Sequence, residues 1–411
     1  MGRHSLPDDH TAAGTRARPA VGRRGTVVVA TLLVLAVAGG AAVAVDSGLL
    51  SFGDSCRDSA VRLDLVASPD IAPAVRSIAG HAREARVTSD GSCIDVRVTA
   101  RESYQVSDGL SAGRTPDFAV WIPDSALWVD RAKDGGDSVP VATAGHVAAS
   151  PVVLAMVKSA ASTLGWPART YTWAELAATA TRSPRLRLGA ADPARSATGL
   201  LALSSIGRSQ ARQGSDGGAQ TAALAKLLAR RTSDSDSQVV GTLDRTDSGA
   251  GAADARRNQA VVLSEQAAFA YNSGPGAGRR LALFYPTDGT PPLDYPYTIV
   301  RESRLSTDVS RAAMRFMTLL GAPDSLRALA HCGFRAPGEE VADAMVRTAG
   351  GSSPQPYATS GAQAPSAKEL EQTLGLWTIT VRSARITTAR ASSTLVILKA
   401  ITPVGRGAAK G

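Results

Sequence analysis

Between Leu186 and Gly207 a short apolar-basic run passes through a polar turn, Ala190 to Gly199, into the helix-like Leu200-Leu201-Ala202-Leu203. A strand, a tight loop and a helix start follow one another there, and the loop carries Ser196 and Thr198. The first helical turn leaves amide N–H groups without intrahelical partners, so hydroxyls and amides together could hold an anion or a hydroxylated ligand. Capping of its own helix is the ordinary alternative for either residue. The same junction recurs at Ser68 after Val61–Ala67, at Ser125 after Phe118–Ile122, at Ser150 and at Ser264 after Val261-Val262-Leu263. One such residue is a cap, whereas five on one sheet topology point to a convergent polar pocket. Each bond from it to a charged ligand would contribute about 1.5–3 kcal/mol. Asp70, Asp192 and Glu265 stand at the same junctions; turned into the pocket, they would repel an oxyanion and favour a neutral polyol or a cation.

Catalytic patterns are poor. Gly109-Leu110-Ser111-Ala112-Gly113 has the spacing of a nucleophile elbow, which needs a strand before it and a helix after. Arg114–Asp117 and a strand follow instead, so it reads as a loop coincidence. The histidines (His4, His10, His81, His146 and His331) are dispersed, and no Gly-x-x-x-x-Gly-Lys phosphate loop occurs. The expectation is a chain without catalysis, metal or cofactor.

Strands alternating with helices must position the junctions. Val61–Ala67, Cys93–Ala100 and Phe118–Ile122 read as strands separated by helical stretches, which implies a parallel sheet with ligands beyond the carboxyl ends of its strands. Ser150-Pro151 reads as the cap and first position of an apolar helix over Val152–Ala161. Ser233–Ser237 reads as a surface loop, and Trp377–Arg385 and Ser393–Leu398 as strands.

With 411 residues and 44% hydrophobic side chains the chain can bury two or three cores. Its net charge of +9 is scattered rather than gathered on one face, which argues against a nucleic-acid partner. Thr26 to Val45 is an uncharged apolar run long enough to cross roughly 30 Å of hydrocarbon. Arg23 and Arg24 precede it and no basic residue follows before Arg57, so the N-terminus is expected to be cytoplasmic and the folded part extracellular. A cleaved signal peptide ending near Ala42-Val43-Ala44 is the competing reading. Export permits a Cys56–Cys93 disulfide, stabilising by about 4 kcal/mol on a chain-entropy argument, and leaves Cys332 over as a small buried residue.

Taken together, Leu65–Asp70, Ala148–Met156, Leu188–Gly199, Leu263–Ala267 and Leu293–Tyr297 resemble an extracellular solute-binding protein of the type 2 periplasmic-binding fold. The combination is similar to actinobacterial membrane proteins in which such a module precedes a von Willebrand factor A domain. The resemblance implies an α/β, two-lobe fold with the ligand held between the lobes by Ser68, Asp70, Ser125, Ser150, Ser196, Thr198, Glu265 and Tyr295. It divides the chain into a basic tail (1–24), an anchor (25–46), lobe 1 (56–148 plus 285–345), lobe 2 (149–284), a linker (346–367) and a stump (368–411). No Asp-x-Ser-x-Ser metal motif occurs in the chain, so the stump reads as a truncated or degenerate von Willebrand A-like segment without a metal site. The implied function is a membrane-tethered module binding a small polar ligand, an oxyanion or a polyol, and working with a permease or a cell-surface partner. A cell-surface interaction protein with an empty cleft is the alternative.

Overall fold

The computed structural model describes residues 60–182, 186–214, 216–244, 257–274, 280–289, 291–338, 340–359 and 364–383. The basic tail, the apolar run, Cys56 and the strand expected over Ser393–Leu398 lie outside the described residues. Among those described, no helix is long and apolar enough to cross a membrane, and Cys332 is a free thiol.

Strand β1 (Val61–Ala67) buries Leu63 and then Leu65, Val66 and Ala67 in succession, as a strand covered on both faces does. The chain turns through Ser68-Pro69-Asp70 into α1 (Ala72–Glu84), whose Ala72, Val75, Ile78, Ala79 and Ala82 recur at helical spacing and pack back onto the sheet. There follow β2 (Thr88–Ser89), β3 (Ser92–Ala100), α2 (Ser103–Ser111), β4 (Val120–Ile122), α3 (Ala126–Lys133) and β5 (Val141–His146). The chain then leaves this sheet to build a second one. Its elements are β6 (Ser150–Met156), α4 (Lys158–Thr163), α5 (Trp173–Arg182), β7 (Leu188–Ala191), α6 (Ala197–Ala211) and α7 (Gly217–Leu228). They continue with β8 (Thr232–Ser233), α8 (Asp236–Gly241), β9 (Ala260–Ser264), α9 (Glu265–Ser273), β10 (Ala282–Phe284) and β11 (Pro292–Leu293). β12 (Pro296–Val300) returns to the first sheet, and α10 (Thr307–Leu320) and α11 (Pro323–His331) pack over β1 and α1. α12 (Asp343–Ala349) lies on α9, and a last helix, α13, spans 367–383.

The first sheet has the order β2-β3-β1-β4-β12-β5 and the second β10-β6-β9-β7-β8, with β11 also on β6. Neither is wholly parallel, contrary to expectation. β1 runs parallel to β3 and β4 and β7 parallel to β8 and β9, but β12 is antiparallel to β4 and β5, and β6 to β9 and β10. Apart from the β2–β3 hairpin, the antiparallel pairings involve the strands that carry the chain out of one lobe and back into it. Asp294, in the returning segment, accepts the Ala126 N–H at 2.8 Å while its carbonyl meets His146 Nδ1 at 2.9 Å, which fastens the two crossing segments to one another.

Several local expectations change. Ser150 opens a strand, not a helix, because all seven residues of Ser150–Met156 are buried and paired with β9, β10 or β11, and only at Lys158 does a helix begin. Ser111 ends α2, so the Gly-x-Ser-x-Gly run is partly helical rather than a loop. Asp236 begins a helix where a surface loop was expected. The strand expected over Trp377–Arg385 is helical as far as residue 383; its β-branched Thr378 and Thr380 fit because their hydroxyls donate to the carbonyls of Leu374 and Leu376. The linker-like stretch 346–367 is anchored: Val346 and Ala349 are buried, and the Gln355 amide donates to the carbonyls of Pro167 and Arg169 at 2.9 and 2.8 Å.

Candidate functional site

A cavity of about 610 Å³ is walled by residues of both sheets. Ser68, Asp70, Glu102, Ser103 and Asp124 come from the first; Arg195, Ser196, Ser235, Asp236, Ser264, Gln266, Phe269 and Tyr271 come from the second. Each polar group stands where a strand ends and a helix begins, so sheet order decides which of them meet. β1 and β4 are neighbours in one sheet, and β7 and β9 in the other. Their carboxyl ends therefore bring together segments more than a hundred residues apart in sequence.

Of the expected binding residues, Ser68, Asp70 and Ser196 line the cavity. Asp70 is held rigidly: its carboxylate accepts the Ser68 hydroxyl at 2.5 Å, the Ile71 N–H at 2.9 Å, and the hydroxyl of the fully buried Tyr295. Burial and the neighbouring Asp70 charge raise the Tyr295 phenol well above its ordinary pKa, so it acts as a fixed donor to Asp70 from behind the wall. Ser196 caps α6 by accepting the Gly199 N–H at 3.2 Å, and donates to Asp236 Oδ1 at 2.9 Å; Thr198 donates to Asp236 Oδ2 at 2.6 Å. Gly199 is required here, since a Cβ would meet the Ala191 carbonyl oxygen at 2.3 Å and push α6 off β7.

Ser125, Ser150, Thr198, Glu265 and Tyr295 do not line the cavity. Ser125 caps α3 through the Leu127 N–H, and the buried Ser150 hydroxyl accepts the Gln266 N–H at 2.9 Å, joining β6 to α9. Glu265 lies wholly buried, its carboxylate bridged by Arg335 at 2.7 and 2.6 Å and by the Tyr285 hydroxyl at 2.5 Å. Asp192 is likewise a brace for the loop before Ser196: Oδ1 accepts the Ala194 N–H at 2.9 Å and the Trp377 indole N–H at 2.7 Å.

The chain matches the model of the bacterial extracellular solute-binding protein family over residues 63–335. It belongs to that family. Solute-binding proteins of this kind are non-catalytic. Among solved structures the chain is similar to a periplasmic thiamin binding protein, with a TM-score of 0.50 and 13% identity over 81% of this chain and 99% of that one. It is also similar to the periplasmic binding protein AfuA of Actinobacillus pleuropneumoniae, solved with fructose-6-phosphate, with a TM-score of 0.51 and 12% identity over 78% of this chain and 98% of that one. Both likenesses concern the two-lobed fold. Among curated proteins it is 25% identical over 358 residues to an uncharacterized Mycobacterium tuberculosis protein found in two strains, covering 81% of this chain and 52% of the relative. The chain thus spans about half the length of the curated relatives it matches.

The cavity holds carboxyls that the serine pattern did not single out. Burial, and then the Asp70 charge, push Asp124 up to about 8. Burial raises Asp236 to about 6 against the two hydroxyl bonds that hold it down, with Asp70 and Glu102 adding to the rise from the other lobe. Glu102 is raised by burial and by Asp70. Asp124 sits beside Ser125 at the end of β4, so the same junction signal reached it one residue out. Asp236 was hidden by a Ser/Asp-rich segment whose short helix becomes visible only once Thr198 and Ser196 bond to it.

Proposed function

We propose that the chain is a membrane-tethered extracellular solute-binding module that closes two lobes on a small polar ligand and hands it to a permease or signals its presence. One observation carries the reading: a cavity of about 610 Å³, within the usual range for ligand pockets, lined from both lobes by polar groups at the ends of strands. Ser68, Asp70, Ser196, Ser264, Gln266, Asp124 and Asp236 are the proposed contact residues. The apolar run Thr26–Val45 supports the tether and the extracellular placement. The same placement supports a Cys56–Cys93 bridge, which peptide mapping without reductant would detect as a linked pair.

Lobe closure on a ligand stabilises the folded state by mass action. In a thermal-shift screen of the folded portion against sugars, amino acids, amines and oxyanions, at least one class raises the melting temperature in proportion to the logarithm of its concentration. A flat response to all four classes would remove the binding reading and leave a module whose surface, rather than cleft, makes the contact.

A further inference from the structure

We propose that the solute carries positive charge, as an organic ammonium or amidinium seated between Asp70, Glu102 and Asp124 of one lobe and Asp236 of the other. The inference rests on the solute-binding reading above and fixes the chemistry of its ligand.

The first observation is an imbalance. Four carboxyls face the cavity, while Arg195 is the sole basic side chain among the described residues lining it, and its guanidinium already lies 2.9 Å from Asp234. Like charges on opposite lobes repel when the lobes approach, so closure needs a positive charge between them. The second is that the donors an oxyanion would use are engaged. Helix starts at α6, α8 and α9 point at the cavity, but Ser196 accepts from Gly199, Ser235 from Gln238, Ser264 from Ala267 and Ser150 from Gln266. Asp70 and Asp236 add negative charge beside the same helix starts, which offsets the helix dipoles.

The third observation points at a missing partner. Asp124 Oδ1 is inaccessible to solvent, has no hydrogen-bond partner among the described residues, and belongs to a side chain that lines the cavity. A buried carboxylate oxygen in that condition is costly unless the carboxyl takes up a proton or a donor from the ligand reaches it as the lobes close. Among the described residues no three carboxyl, imidazole or thiol groups are grouped to hold a metal ion, so the acidity is spread over the cavity and suits an extended cation better than a bare one. Phe269 and Tyr271 line the same space and offer ring faces to an alkylated ammonium.

The test measures Kd by calorimetry at pH 8 for choline and putrescine, for glucose and myo-inositol, and for sulfate and inorganic phosphate, with wild-type protein and the variants Asp124→Asn, Asp236→Asn and Glu102→Gln. The expected result is binding of at least one amine, weakened about tenfold to a hundredfold in Asp124→Asn or Asp236→Asn. At pH 8, Asp124→Asn should also melt at a higher temperature than wild type without ligand, because a carboxyl whose Oδ1 has no partner has been replaced by an uncharged amide. Higher stability with weaker binding is a pairing that a structural role does not produce. Glu102→Gln, at a half-exposed position, keeps the test alive if Asp124→Asn does not fold. Binding of the sugars or oxyanions but not the amines overturns the charge assignment and leaves the solute-binding reading standing; binding of none of the six overturns the charge assignment, and together with a flat thermal-shift screen it overturns both.

Discussion

Arg335 bonds to both carboxylate oxygens of Glu265 and its backbone pairs with Ala149, at the point where the chain enters the second sheet. Replacing it by Met strips a wholly buried carboxylate of its charged partner, and removing one half of a buried pair costs about 3–5 kcal/mol. Denaturant unfolding of Arg335→Met is expected to show that loss, and the Arg335→Met, Glu265→Gln double variant to recover part of it. Equal stability of single variant and wild type would mean that the network is not carrying the junction. At this scale the sequence was legible for Ser125, Ser196 and Ser264, which sit at helix starts as their type and place suggest. It was misleading for Glu265 and Ser150, whose partners, Arg335 and Gln266, lie 70 and 116 residues away. No local pattern could reveal that these polar groups are satisfied inside the protein rather than by a ligand.

Among elements, α13 has the greatest reach. Trp377 is buried, and its indole N–H ends on the Asp192 oxygen that also orders the loop before Ser196. Trp377→Phe keeps most of the apolar contact and removes the donor, so it should cost about 1 kcal/mol of stability and speed amide exchange at Ala194–Ser196. Unchanged exchange in that loop would show that α13 is not steadying it. Strand and helix types were readable where one period held throughout, as in β1 and α10. They failed in β6, where a Ser-Pro pair imitates a helix start in front of a wholly buried run that pairs along its edges with β9 and β10. They failed again in α13, whose threonines favour a strand until their hydroxyls find carbonyls one turn back.

Over the whole molecule, two lobes that each contribute carboxyls make stability depend on pH. Asp236 is raised to about 6 and Asp124 to about 8, against about 3.9 for an unfolded aspartate. The folded state therefore holds protons that the unfolded chain has released. That stabilisation is complete below about pH 4 and is lost as pH rises through 6 and then 8. Asp70 and Glu102 act on Asp236 from the other lobe, Asp70 and Asp236 act on Asp124, Ser196 and Thr198 bond to Asp236, and Asp294 is raised as well by burial. The melting temperature of ligand-free protein is expected to fall between pH 5 and pH 8.5, with Asp236→Asn flattening only the lower part of the decline and Asp124→Asn flattening it throughout. A melting temperature that rises over that interval would contradict the assignment. The two-lobed architecture was legible only through the resemblance that the strand-to-helix junctions carry; the element order by itself suggested a parallel sheet, whereas the pairing that brings β1 and β4 together, and β7 and β9, appears only in the structure. Which lining groups bear charge was not legible, since Asp124 and Asp236 gain their character only from neighbours on other segments.

The bond from Trp377 to Asp192 gives the binding cleft a lever. With Asp192 as fulcrum and α13 as the long arm, a small tilt of that helix would turn the loop that presents Ser196.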